Sequence, residues 1–137
     1  MSPKLIERLI YEIKIQSFVK HENILELYKY YKEGNFLYLV LELGSGSLFD
    51  RLRQKKFFTE PESAFYIEQT IKALIYLHSN GIIHRDLKPE NIVLINNVVK
   101  LADFGWSIYV GTKYIYSYSA IKGPLFVALL TMFPPKS

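Results

Sequence analysis

Thr59-Glu60-Pro61-Glu62 is the firmest structural instruction in the chain. Threonine at an N-cap with glutamate three residues on forms a capping box, and proline suits the first helical turn, where its missing N–H has no partner to lose. Ala64, Ile67, Ile71, Leu74 and His78 then recur at helical spacing, which places them on one face. Asn80-Gly81 closes the pattern with residue types that accept positive φ. A long amphipathic helix of this kind has to bury its face against another element. The chain supplies one: after Ile82-Ile83 and a polar loop come two short β runs, 92–94 and 98–101, turned by Asn96-Asn97.

The upstream half repeats the mixture. Ser2-Pro3 caps and opens a helix predicted over 3–19, carrying Leu5, Leu9 and Ile13 beside Ile6 and Ile10. Lys20-His21-Glu22-Asn23 breaks it. Strand-like runs at 24–31 and 36–41 flank the turn Glu33-Gly34-Asn35, and a short helix is predicted over 47–53 after Gly44-Ser45-Gly46. Alternating helices and antiparallel strands make the fold class α+β. Half the residues are hydrophobic and 22% are charged, which fits a globular chain. Cysteine is absent, so disulfides, thiolate metal sites and thiol nucleophiles are excluded. The formal charge of +4 is diffuse, and no Lys/Arg tract marks a nucleic-acid partner. The most apolar run, Leu125 to Phe133, is far short of the roughly 20 residues a membrane helix needs. With no apolar signal segment at the start, an intracellular protein, cytoplasmic or nuclear, is expected.

The polar loop holds the chemistry. It reads His84-Arg85-Asp86-Leu87-Lys88-Pro89-Glu90-Asn91, and Asp103-Phe104-Gly105 follows twelve residues after Asn91. Each acid alone would be read as a turn or cap residue. In this order, between a capped helix and a β hairpin, the two strings resemble the H-R-D-L-x-x-x-N and D-F-G elements of protein kinases. Lys88, two residues past Asp86, resembles serine/threonine kinases more than tyrosine kinases. Trp106-Ser107 after the D-F-G triplet, with the helix string Glu12-Ile13-Lys14-Ile15-Gln16-Ser17, is similar to Aurora-type kinases.

The resemblance implies a partial kinase-like fold over residues 1–107 and a divergent tail over 108–137, which lacks any acidic group. It implies phosphoryl transfer from ATP to a serine or threonine hydroxyl of a protein substrate, with Mg²⁺ as the second cofactor. Such transfer depends on positioning and charge neutralisation more than on covalent help. Asp86 would receive the attacking hydroxyl, with Lys88 at the transferred phosphate. Asn91 and Asp103 would hold the metal. Glu12 would pair with a lysine that holds the nucleotide phosphates. Leu41 would be the gatekeeper, Glu42, Leu43 and Gly44 the hinge whose backbone receives adenine, and Val93 the residue beneath the ring. Gln16, Leu27, His84 and Phe104 would form a stacked spine between lobes.

Several family motifs have no counterpart in the sequence. Gly44-Ser45-Gly46 lacks the third glycine of a phosphate loop, and neither a V-A-I-K strand nor an A-P-E element is present. The polypeptide is therefore expected to be inactive by itself. Two other readings stand beside the enzyme: a catalytically dead binding module, which would compete for a regulatory partner, and an incomplete gene product.

Overall fold

A computed structural model describes residues 2–111 of the chain. Helix α1 spans Pro3–Phe18, with the Ser2 side chain accepting a hydrogen bond from the Leu5 amide. Strands β1, Leu27–Glu33, and β2, Phe36–Leu41, form an antiparallel hairpin with a bulge between Leu27 and Lys29. A two-residue strand β3, Gly46–Ser47, leads directly into helix α2, Leu48–Lys55. Ser47 and Asp50 cap α2 reciprocally in a capping box. Helix α3 runs Glu60–Ser79 from the expected Thr59/Glu62 box.

Beyond α3 come β4, Ile82–Ile83, a single 3₁₀ turn at Pro89–Asn91, β5, Ile92–Ile95, β6, Val98–Leu101, and β7, Ile108–Tyr109. Sheet order is β3-β5-β6, with β1-β2 and β4-β7 as separate pairs. Asn96 and Asn97 both take positive φ, the backbone that a two-residue hairpin loop demands of its central positions. Gly81 ends α3 at φ +76°, and a Cβ there would lie 2.9 Å from both the Gly111 carbonyl carbon and the Tyr109 ring. Glycine is needed at that point for conformation and for room, because β7 closes over the helix end.

The core lies between α3, the β5-β6 hairpin and the inner face of α1. Ala73, Leu77, Val99, Leu101 and Phe104 are fully buried there, with Ile24, Leu74 and Ile82 close to it. Two helix faces differ from the pattern read in the sequence. On α3 the buried side is Tyr66, Thr70, Ala73, Leu74, Leu77 and His78, while Ile67 and Ile71 are 55% and 36% exposed. Apolar residues fall on more than one side of α3, as at Phe65, Tyr66 and Ile67 and again at Leu74, Ile75 and Leu77, so periodicity alone could not choose between them. On α1 the buried residues are Ile13, Ile15 and Gln16, and Leu5, Ile6 and Ile10 stay exposed. The first strand begins at Leu27 rather than residue 24, since Asn23–Leu25 is committed elsewhere. Leu101 donates to the Asn23 carbonyl at 2.8 Å and accepts from the Leu25 amide at 3.0 Å. That zipper ties the end of α1 to the strand before Asp103.

His78 is buried on α3, and burial pushes its imidazole down from 6.5 to about 4. The unfolded chain takes up a proton below about pH 6.5 and the folded chain does so only near pH 4. Stability is thus expected to fall by about 3 kcal/mol across that window as pH drops. Urea titrations at pH 7 and pH 4.5 should show most of this loss, and His78→Gln should remove it. A slope of the same sign would persist from His84, which burial also holds low.

Candidate active site

The loop between β4 and β5 turns on a buried histidine. His84 is fully buried, its Nε2 lies 2.9 Å from the Ala102 carbonyl, and its Nδ1 accepts from the Asp86 amide at 3.2 Å. The two bonds together fix a neutral ring with its proton on Nε2. Burial lowers its pKa, and the opposing influences include both the Asp86 and the Asp103 carboxylates. Both acids therefore act on one imidazole, although they are seventeen positions apart in the chain. The Phe104 ring meets His84 edge-on, with centroids 5.2 Å apart.

Asp86 is half-buried. The Asn91 amide nitrogen donates to its backbone carbonyl and to its Oδ2, both at 2.9 Å. Lys88 Nζ stands 3.7 Å from the other oxygen of Asp86, Oδ1. Asn91 is in turn anchored from behind, because the Ala102 amide donates to its carbonyl at 2.8 Å. Asp103 follows at φ +60°, with Oδ1 accepting from the Gly105 amide at 3.1 Å. Arg85 also takes positive φ, at +68°. Strained backbone at both ends of the cluster is the form in which a fold holds side chains in a set direction.

Asp86, Lys88 and Asn91 are thus in mutual contact, and Asp103 is fastened to them through Ala102 and His84. The donors suit a hard cation. Asn91 turns its nitrogen toward Asp86, and its Oδ1 takes no hydrogen bond among the described residues. The Asp103 Oδ2 is likewise open. Carboxylate and amide oxygens of this kind are what Mg²⁺ selects, usually one or two carboxylates with the remaining positions left to water and phosphate.

Glu12 reaches the same region from α1. A Cβ added to Gly105 would lie 3.1 Å from Asp103 Oδ1 and 3.6 Å from Glu12 Oε2, so the two carboxylates flank this glycine. Partial burial raises the Glu12 pKa, Asp103 raises it further, and Arg8 opposes them. A carboxyl group held high by burial and a like charge is one that lacks a strong cationic partner. Among the described residues no lysine supplies it.

The hinge residues are also placed. Glu42 accepts from the Glu26 amide at 2.8 Å through Oε1 and pairs with Lys100 at 3.4 Å through Oε2, both side chains largely buried. Its side chain steadies the hinge, a contribution that a role through backbone alone did not include. Ser45 donates to the Leu94 carbonyl at 2.9 Å. A Cβ on Gly44 would come within 2.0 Å of Val93 Cγ1, so only glycine lets the hinge lie this close to β5. Leu43 is 90% exposed, and Leu41 borders solvent at the end of β2. The backbone groups of Leu43 and Gly44 engage in no hydrogen bond among the described residues. Of the expected spine, Gln16 is buried and donates to the Leu25 carbonyl at 3.3 Å, and His84 and Phe104 are in contact.

Sequence reasoning missed Arg8, Tyr11 and Lys100. Lys100 sits on the exposed-looking side of a strand, and its partner is fifty-eight positions away. Only the general pairing of a β-strand cation with a hinge acid hints at it.

The Asp86–Asn91 acid–amide pair and Asp103 thus stand at the two ends of the β5-β6 hairpin, joined by the buried His84. The protein kinase domain family matches residues 2–124, and the chain belongs to that family. The match continues past residue 107, into the tail. The chain is 46% identical to the Aurora kinase of Schizosaccharomyces pombe over 108 residues, 77% of this chain and 30% of that protein. It is 43% identical over 100 residues to serine/threonine-protein kinase Aurora-2 of Arabidopsis thaliana, covering 72% of this chain and 36% of the relative. A probable myosin light chain kinase of Dictyostelium discoideum is 43% identical over 121 residues, 85% of this chain and 38% of the relative. The chain thus spans a third or so of these relatives and is Aurora-like within the family. No helix among the described residues is long and apolar enough to cross a membrane.

Proposed function

We propose that Asp86, Asn91 and Asp103 form the reaction centre of a serine/threonine protein kinase using ATP and Mg²⁺. One observation carries the reading: Asn91 binds Asp86 with its nitrogen while leaving its oxygen free, beside an Asp103 held through Ala102 and His84. In this arrangement Asp86 orients an acceptor hydroxyl and takes its hydrogen bond, and Lys88 adds positive charge at the same place. Asn91 and Asp103 would hold the metal, which when bound neutralises phosphate charge. The hinge offers the free backbone groups of Leu43 and Gly44 to a nucleobase, with Val93 beside them. Glu12 supplies the negative end of an ion pair whose cation would position the phosphates.

The test is a graft. Residues 3–107 are exchanged for the corresponding segment of the Schizosaccharomyces pombe Aurora kinase. The chimera is expected to phosphorylate serine/threonine peptides with ATP, and Asp86→Asn is expected to lower kcat by about 10²–10⁴. A folded chimera no more active than its Asp86→Asn variant refutes the reading. The alternative, a non-catalytic binding segment, draws on the exposed aromatic face of the β1-β2 hairpin, where Tyr31, Phe36 and Tyr38 meet solvent.

A further inference from the structure

The segment after Asp103 is held by side chains that no catalytic role accounts for. Arg8 lies one turn before Glu12 on α1. Its Nε donates to the Gly105 carbonyl at 2.6 Å and its Nη2 to the Ser107 carbonyl at 2.8 Å. The intervening carbonyl, of Trp106, faces the other way and accepts from Arg85 Nε at 2.7 Å. The Phe104 carbonyl accepts from the Ser107 hydroxyl at 2.6 Å. Farther on, the Tyr109 amide donates to the Tyr11 hydroxyl at 2.6 Å. The Arg8 guanidinium also sits over the Tyr11 ring, 5.4 Å from its centroid.

The pattern has a geometric logic. Phe104 to Ser107 form a turn closed by the Ser107 amide, which donates to the Phe104 carbonyl at 3.1 Å, and in this turn the 105 and 107 carbonyls face α1 while that of 106 faces the catalytic loop. A guanidinium has several N–H donors in a rigid plane and can serve both α1-facing carbonyls at once. Tyr11, three positions on, lies on the same helix face and reaches the next anchor. Side chains thus engage the four successive carbonyls of 104 to 107 and the Tyr109 amide.

We propose that Arg8 and Tyr11 are positioning residues that clasp the 105–109 segment to α1 and so hold Asp103 at a fixed place beside Glu12. The clasp is geometric and does not depend on the phosphotransferase reading. If it opens, the Gly105–Trp106 peptide is free to turn, the backbone torsions of Gly105 are no longer fixed from that side, and the preceding peptide, whose Gly105 amide bonds the Asp103 carboxylate, loses its anchor. Orientation of α1 and orientation of the metal-facing acid then become independent.

The experiment uses the whole 137-residue chain in three variants, Arg8→Ala, Arg8→Lys and Tyr11→Phe. Amide hydrogen exchange is followed by peptide for 104–110 and for α3. Arg8→Ala is expected to speed exchange in 104–110 at least about tenfold with α3 unchanged. Arg8→Lys should restore less than half of the protection, since an ammonium lacks the planar fork. Tyr11→Phe removes one oxygen and no charge, so it keeps the fold testable if Arg8→Ala does not. It should accelerate the Tyr109 amide and, as Asp103 moves off, bring the Glu12 carboxyl pKa down toward its ordinary value, read by ¹³C NMR. The charged groups facing Glu12 in this account are Asp103 and Arg8. Trp106, the single tryptophan, should show lower fluorescence anisotropy in Arg8→Ala. Unchanged exchange in 104–110, or equal acceleration of α3, overturns the proposal. So does faster exchange in Tyr11→Phe with the Glu12 pKa unmoved.

Discussion

Phosphate transfer from radiolabelled ATP by the polypeptide of residues 1–137, taken by itself, is expected to equal that of its Asp103→Ala variant. The reason lies at Glu12. Its carboxyl is pushed up by burial and by Asp103, with Arg8 alone in opposition. Arg8 is already spent on the Gly105 and Ser107 carbonyls. No further cation reaches this point among the described residues. One preorganised charge aimed at the reacting group is worth about 10²–10³ in rate, and contributions from positioning multiply with it. Asp86, Asn91 and Asp103 can all be in place while turnover stays at background. The measurement is label incorporated into a serine/threonine peptide against the variant. Incorporation that disappears in Asp103→Ala would show that another group fills the cation's place. The contrast with the grafted segment, where activity is expected, separates competent residues from a competent polypeptide.

Phe104→Ala is expected to cost about 3–5 kcal/mol of stability, near the top of the range for a buried aromatic. The ring is fully buried and meets the fully buried His84 edge-on. Removing it leaves a cavity bordered by an imidazole whose two nitrogens are both engaged, so the hub has little freedom to collapse inward. Small domains hold only about 5–15 kcal/mol in total, so this one change is a large share. Urea unfolding followed by circular dichroism should show a lower midpoint at nearly unchanged slope. Phe104→Leu, which keeps most of the volume, should lose less than half as much. A loss under about 1 kcal/mol for Phe104→Ala would mean that the D-F-G aromatic is not part of the core.

The geometry of the 84–91 loop was legible because it is local. His84 through Asn91 lies on eight consecutive residues, and the tight loop brings Asp86 and Asn91 together with no help from distant sequence. The helix starts at Ser2 and Thr59 were readable for the same reason, as was the Asn96-Asn97 turn. The hinge was readable in outline, but its buried support from Lys100 was not. The apolar faces were read less well. Ile67 and Ile71 fit the helical period as well as Thr70 and Leu77 do, yet only the latter pair is buried. Of the tail read from residue 108 onward, 108–111 are described and Ile108–Tyr109 pairs with β4, while the run Leu125 to Phe133 lies outside the described residues.

What the chain's own order determined was each element whose cause sits within one or two turns: the caps, the turns, the acid–amide loop. Tertiary structure alone decided which helix face is buried, the two-residue pairings of β3 with β5 and β4 with β7, and the hold of Arg8 and Tyr11 on the segment after Asp103. Those contacts join residues up to ninety-nine positions apart. A side chain's local neighbours carry no record of a partner at that distance, because the partner's position is set only when the intervening helices and strands have packed.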